Sequence, residues 1–339
     1  MDDLYPLKMQ PVYKKYAWGG KAIRNTYKKN TPYPKTAESW EVSVHPQGTS
    51  LVMEGSCAGV SLDKMMQKWG KKLCGTLHEE DKFPLTFKLV DAGDWAPLQV
   101  HPDDVYATGK TDNDFGKTEM CYVLSAKSDA QIVYGFSHDI TELELKKAVQ
   151  SGTMENIINR VDVEEGDVIF IPSGIVHAIG KGVTVAEIQQ SSSMTYTLGA
   201  EESEVAEIIE VSELKSSVGE EKVEGLPIEL EEYTRSKLCC CRYFGAEKVE
   251  LDGIVQEKTD GRSFHILFFS LGDAKIHWHG QETEAEKGDT FLIPAALGDY
   301  EIEGDCEYLK YYIPEFAKDF LEPLLDAGYG EDEVISLLY

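Results

Sequence analysis

The chain has 339 residues, 42% of them hydrophobic, which is enough for one large or two medium domains with a sizeable core. Sixty acidic side chains against 33 Lys and Arg leave a formal charge of −27, which argues against a nucleic-acid backbone or an anionic membrane as partner. A phosphorylated substrate then needs a local basic patch set against the global field.

The opening Met-Asp-Asp-Leu-Tyr-Pro-Leu has no basic stretch followed by an apolar one, and no apolar run approaches the ~20 residues that span a bilayer. A cytoplasmic protein is expected. Helix is predicted from Ser61 to Lys71, with Ser61 as cap and Leu62, Met65 and Met66 on one face. Phe83–Asp91 reads as a strand. Gln99 and His101 stand two apart on the next expected strand, and Glu119–Leu124 follows as another. Thr141–Gln150 opens with a Thr-x-x-Glu capping box and continues as a helix. Asp167–Pro172, Gly182–Gln189, Ser263–Leu271, Asp289–Pro294 and Glu307–Ile313 are predicted strands. The tail from Glu315 reads as two short helices broken at Gly328–Gly330, and helix is otherwise expected mainly at 61–75 and 140–158. The seven cysteines are odd in number and form no Cys-x-x-Cys pair; Cys239, Cys240 and Cys241 cannot easily bridge one another, so reduced thiols on a buried strand are expected.

Four of these residues form a candidate metal site. Gln99 and His101 share a strand face, Glu119 lies on the following run, and His177 follows the Gly-Asp-Val-Ile-Phe-Ile-Pro strand. Such a mixed nitrogen and oxygen set suits zinc, and manganese, iron or nickel less exclusively.

An internal repeat sharpens the assignment. Gly166-Asp-Val-Ile-Phe-Ile-Pro recurs 122 positions on as Gly288-Asp-Thr-Phe-Leu-Ile-Pro, and Asp129-Ala-Gln-Ile-Val recurs 144 positions on as Asp273-Ala-Lys-Ile-His. The offsets place Asp299 opposite His177 and Ser263 opposite Glu119, so the second copy lacks the ligand types. His265, His277 and His279 are read as solvated or hydrogen-bonded. The fold class expected is mainly β: two jelly-roll barrels with a small helical insert and a short helical tail. The division expected is 1–200 with the insert near 140–158, an acidic linker at 201–234, a metal-free barrel at 235–315 and the tail at 316–339.

The chain resembles type I phosphomannose isomerases of the short bacterial branch, which carry two cupin barrels. The resemblance rests on Tyr16-Ala-Trp-Gly-Gly, Thr36-Ala-Glu-Ser-Trp-Glu-Val-Ser with His45-Pro, Phe83-Pro-Leu-Thr-Phe-Lys, Leu98-Gln-Val-His-Pro-Asp-Asp, Gly116-Lys-Thr-Glu, Val176-His-Ala-Ile and Glu187-Ile-Gln-Gln-Ser-Ser. It implies one Zn2+ on Gln99, His101, Glu119 and His177, and interconversion of mannose 6-phosphate and fructose 6-phosphate. It implies Glu187 as the proton-transfer base, Lys117 beside the metal, and Lys88 facing the sugar or its phosphate. Trp18 and Trp40 are expected in the core. The family pattern has Thr-Tyr-Arg shortly after Glu-Ile-Gln-Gln; this chain has Thr195-Tyr196-Thr197. Thr cannot replace an always-charged guanidinium. A slow or substrate-shifted isomerase is therefore expected, or else a metal-binding carbohydrate sensor on the same scaffold. Lys110 is a candidate substitute cation, against its reading as a solvated loop lysine.

Overall fold

The computed structural model describes residues 4–339 except 79–81, 112–113, 200–203 and 220. Strands form where the short β-branched and aromatic runs predict them. Leu85–Ala92 and Val183–Gln190 are buried along their whole length, which is why their sequences are apolar without clear alternation.

The repeat is visible in the strand order. In the first half the strands Glu38–Val42, Leu85–Ala92, Glu119–Ala126, Val168–Ile171 and Val183–Gln190 can be lettered a to e in chain order. Across their sheet they lie d-c-e-b-a, with Val12–Lys14 beyond a. In the second half Tyr233–Cys240, Gly245–Thr259, His265–Trp278, Thr290–Ile293 and Gly298–Tyr312 lie in the same d-c-e-b-a order. All these neighbours are antiparallel. A smaller sheet in the first half runs Ile158–Asp162, Gln131–Phe136, His177–Ile179, Gln99–Val100, Tyr196–Thr197.

The halves are joined rather than merely linked. Leu7–Gln10 pairs with Thr290–Ile293 of the second half, so the N-terminal strand leaves the region where the sequence placed it. Phe87 packs on Phe268 and Tyr311 at 5.5 and 5.1 Å, and Phe83 on Phe264 at 4.6 Å, all fully buried. The tail adds a third tie. Its π-helical turn Ala317–Leu321 runs into the helix Glu322–Asp326, and after Glu331–Ile335 the ring of Tyr339 stacks on Phe170 of the first half at 4.2 Å. All seven cysteines are free and buried.

Several local expectations need correction. Thr141 forms its capping box, but Ser61 makes no side-chain cap bond to Leu62–Trp69. Three further short helices occur at Ala22–Asn25, Asp104–Lys110 and Val205–Val211. Asp103 caps the second by accepting from the Tyr106 amide at 2.8 Å; its Pro-Asp-Asp start was a helix signal hidden inside the metal motif. At the first, the Asp91 carboxylate accepts from the Ala22 amide, a contact across 69 positions that no local pattern announces. The acidic stretch 201–234 is more than a connector: beyond its helix, Leu226–Glu229 forms an edge strand on Tyr233–Cys240. Residues 201–203 and 220 of that stretch lie outside the described ones.

Candidate metal centre and cleft

The strand register brings the predicted ligands together. His177 pairs directly with Gln99, and Glu119 lies opposite Ile171 at the end of strand d. His101 follows Gln99 by two positions. Ligand atoms of His101, Glu119 and His177 lie within 4.8 Å of one another, and all three residues are buried. Their Nε2 atoms stand 3.3 and 3.2 Å from Glu119 Oε2. The Gln99 amide is 3.1 Å from His177 Nε2.

The donor set fits a metal. Both Glu119 oxygens are buried without a hydrogen bond, a costly state that a coordinated ion relieves. The other ring nitrogen of His177 faces the Ile175 carbonyl at 2.8 Å, which leaves Nε2 as the lone-pair atom. Burial, reinforced by the Lys117 ammonium, lowers the His101 pKa to about 3, so its ring is neutral. Burial alone would raise the Glu119 pKa. The Lys117 ammonium and the imidazoles outweigh it and hold the carboxyl well below its usual range.

A cleft of about 380 Å3 lies beside the centre: Gln99 and Lys117 line it together with Lys88, Glu187 and Thr197, whereas His101, Glu119 and His177 are not among its lining residues. Glu187 and Lys88 face each other across strands e and b with Oε1 and Nζ 2.7 Å apart. Burial raises the Glu187 pKa despite Lys88. Lys117 Nζ lies 3.1 Å from Glu119 Oε1, 3.2 Å from His101 Nε2 and 3.3 Å from Thr195 Oγ1. Thr197 pairs with Gln99, so the position where the family pattern has Arg lines the cleft. Lys110 is not among the lining residues; it is exposed, with its ammonium 5.0 Å from the Tyr106 ring centre. The end of its loop, residues 112–113, lies outside the described ones.

Trp40 is a cleft residue, and Trp18, half-buried against the core of the first half, also faces the cleft. Trp18 stacks on Tyr16 at 5.6 Å, Trp40 meets His45 edge-on at 5.3 Å, and all four line the cleft. Glu38, Thr86, Gln189 and Ser193 also line it and were not singled out beforehand. The signal for Glu38 was present: it stands two positions before Trp40 on strand a, and accepts a bond from that indole at 2.6 Å.

The same register corrects the repeat. Ile171 of strand d faces Glu119, and its repeat counterpart Ile293 faces His265. Glu119 therefore corresponds to His265, not Ser263; the slip arose because the Asp129 match was taken as rigid across an irregular strand. Gln99 and His177 correspond to Lys258 and Asp299, which pair with each other at 3.0 Å on the surface. His265 bonds the Tyr300 hydroxyl at 2.7 Å and His277 stands 3.2 Å from Glu303, as the reading of partnered histidines expects.

Comparison with known proteins agrees with this geometry. Residues 6–124 match the profile of the phosphomannose isomerase type I catalytic domain, and residues 234–313 that of the mannose-6-phosphate isomerase cupin domain. The chain is 33% identical over 321 residues to the probable mannose-6-phosphate isomerase GmuF of Bacillus subtilis, covering 90% of this chain and 98% of the relative. Mannose-6-phosphate isomerase ManA of the same organism is also 33% identical, over 91% and 99%. A crystal structure of the Bacillus subtilis mannose 6-phosphate isomerase superimposes with a TM-score of 0.82 at 29% identity, over 90% of this chain and 99% of that one. The fold is thus mainly β with a cupin domain, and the chain belongs to the type I phosphomannose isomerase family.

Proposed function

We propose that the chain is a zinc-dependent aldose–ketose isomerase that interconverts mannose 6-phosphate and fructose 6-phosphate. The observation that carries this reading is the convergence of Lys88, Lys117 and Glu187 on one cleft, where Lys117 also touches Glu119 and His101 of the buried cluster. Family membership supports the substrate. The sensor reading had only Thr197 in its favour, and a binding protein has no need of a buried carboxyl with a raised pKa beside a lysine.

Gln99, His101, Glu119 and His177 would hold the ion. Zinc suits two neutral imidazoles, a carboxylate and an amide oxygen. When bound, the ion would supply Lewis-acid polarisation of the sugar carbonyl. Glu187 takes the proton from C2 of the aldose, which leaves an enediolate with its charge on O1; the O2 proton passes to O1, and Glu187 returns its proton to C1 to give the ketose. Its raised pKa suits a group that must both accept and return a proton. Lys88 orients that carboxylate through their ion pair. Lys117 places positive charge next to the developing oxyanion. The indoles of Trp18 and Trp40 flank the sugar and exclude water.

The strand repeat supports two cupin barrels of jelly-roll type, divided as 1–200, a 201–234 connection and a second, metal-free barrel at 235–315, with 316–339 as the tail. The first strand crosses to the second barrel. Seven buried thiols favour the reducing cytoplasm. No helix among the described residues is long and apolar enough to cross a membrane. The charge of −27 disfavours nucleic acid. A coupled assay with mannose 6-phosphate, with and without added zinc, tests the function; no turnover with zinc loaded would return the sensor.

A further inference from the structure

The second half has a cavity at the place where the first half has its cleft. It measures about 280 Å3, the small end of ligand sites. Strand register equates the two residue by residue. The pair Lys88 and Glu187 becomes Glu247 and Lys310, the same cross-strand positions with the charges exchanged. Trp40, which faces Lys88, becomes Lys237, which faces Glu247. Glu38 becomes Arg235 by the same count along strand a.

The result is a buried cluster of three cations against two carboxylates. Glu247 is shared by Arg235, Lys237 and Lys310 at 2.6, 2.5 and 2.9 Å. Glu257 holds Arg235 at 2.7 Å and Lys310 at 3.0 Å, and accepts from the Tyr308 hydroxyl at 3.1 Å. Both carboxylates are saturated, and one positive charge is left over. An uncompensated charge away from water is costly, so the cavity is complementary to one small anion. Its rim adds Lys258, Arg262 and Lys318. Those three are matched by Asp260, Glu315 and Asp319, and by Asp299 on Lys258, so any excess positive charge lies in the buried cluster alone. The tail closes one side, where the Asp319 carbonyl accepts from Lys237. Burial is the largest influence on Lys237 and lowers its pKa, as expected of an ammonium short of counter-charge. All this stands in a chain whose overall charge is −27.

We propose that this second cavity binds a small oxyanion, a phosphate or carboxylate group, on Arg235, Lys237 and Lys310, so that the repeat has turned the place of a cation-binding cleft into an anion site. Isothermal titration of the metal-loaded protein with inorganic phosphate, and in parallel with malonate, tests it. Binding by the wild type should weaken about 10–100-fold in Lys237→Met, the worth of one charge-assisted hydrogen bond. Mannose 6-phosphate turnover should stay unchanged in that variant. Lys88→Met controls for phosphate in the first cleft and should retain the Lys237-dependent binding. Phosphate alone responding assigns a phosphate ester site, and malonate alone a carboxylate site. If Lys237→Met does not fold, Lys318→Met at the exposed rim should weaken the same isotherm a few-fold. The proposal is overturned if neither anion binds, or if the folded variants bind both as the wild type does.

Discussion

The two halves share one strand order and one register, yet their equivalent cavities have opposite chemistry. In the first, the middle of the sheet presents a Lys and Glu pair, an indole and a set of neutral and anionic donors arranged for a cation. In the second, the same positions hold a reversed pair and two further cations. The scaffold therefore fixes where side chains converge, and leaves their charge free. Within each half the cross-strand pair remains opposite in sign, because like charges facing each other across a buried sheet would be strongly destabilising.

The largest expected effect tests whether convergence alone confers activity. Glu187→Gln should lower turnover ~10²–10⁴-fold, the usual share of a general base, and leave metal content and fold intact. Lys310→Met, its counterpart, should leave turnover unchanged. It should instead cost stability, on the order of 1–3 kcal/mol, because Glu247 and Glu257 each lose a charge-assisted hydrogen bond while Arg235 and Lys237 still neutralise them. Coupled assays and denaturant titrations of both variants measure this. Unchanged turnover in Glu187→Gln would move the base to Lys117 or to water.

The metal separates the halves next. One metal per chain is expected, and His177→Ala should remove most of it, while Asp299→Ala at the equivalent place should remove none. Elemental analysis decides the matter. Equal loss from both variants would erase the asymmetry.

Position 197 is a difference from the family pattern rather than between the halves. Thr197 lines the cleft opposite Gln99, so an Arg there can reach the substrate. Thr197→Arg should raise turnover on the order of tenfold, a fraction of what a preorganised transition-state contact is worth. Lys110→Ala should do little, since Lys110 lies on the Tyr106 ring outside the cleft. A loss of turnover in Thr197→Arg would show that the cleft has closed around the smaller residue.

Much of this was legible in the sequence. The cluster of His101, Glu119 and His177 was readable because His101 belongs to one short motif, shared with Gln99, and because Glu119 and His177 each close a recognisable one. The strands were readable because buried strands are short apolar runs. The aromatic wall was not. A Trp beside a strand has the same local pattern whether its ring meets core or cleft, and only the pairing of Trp40 with Lys88 decides which. The charged cavity of the second half was hidden for the same reason. Arg235, Lys237, Glu247, Glu257 and Lys310 look like ordinary strand-face charges until the register places them together, all but Arg235 buried. Short helices such as Ala22–Asn25 depend on a distant carboxylate and leave no local trace.

The smallest effect concerns acid. His265 stands at the register place of Glu119, and burial, reinforced by Lys310, lowers its pKa from 6.5 to about 3. His101 is lowered likewise, by burial and then Lys117. A histidine whose pKa is lower folded than unfolded binds more protons when unfolded. Its contribution to stability is therefore complete above pH 6.5 and is lost as pH falls from there toward 3. In metal-free protein both histidines should contribute, each at up to about 1.4 kcal/mol per pH unit once the unfolded ring is protonated. The edge of His265 that meets the cavity reduces its share. His265→Gln keeps a hydrogen-bonding group for Tyr300 and removes the titration. Urea unfolding at pH 7, 6 and 5 should show a shallower acid slope in this variant than in the wild type. This range lies above the window where Glu247 and Glu257, whose pKa values are lowered, begin to take up protons. An unchanged slope would mean that the cavity admits enough water to titrate His265 normally. The second half would then be a solvated surface cluster, and its likeness to the buried centre of the first half would end at the strand order.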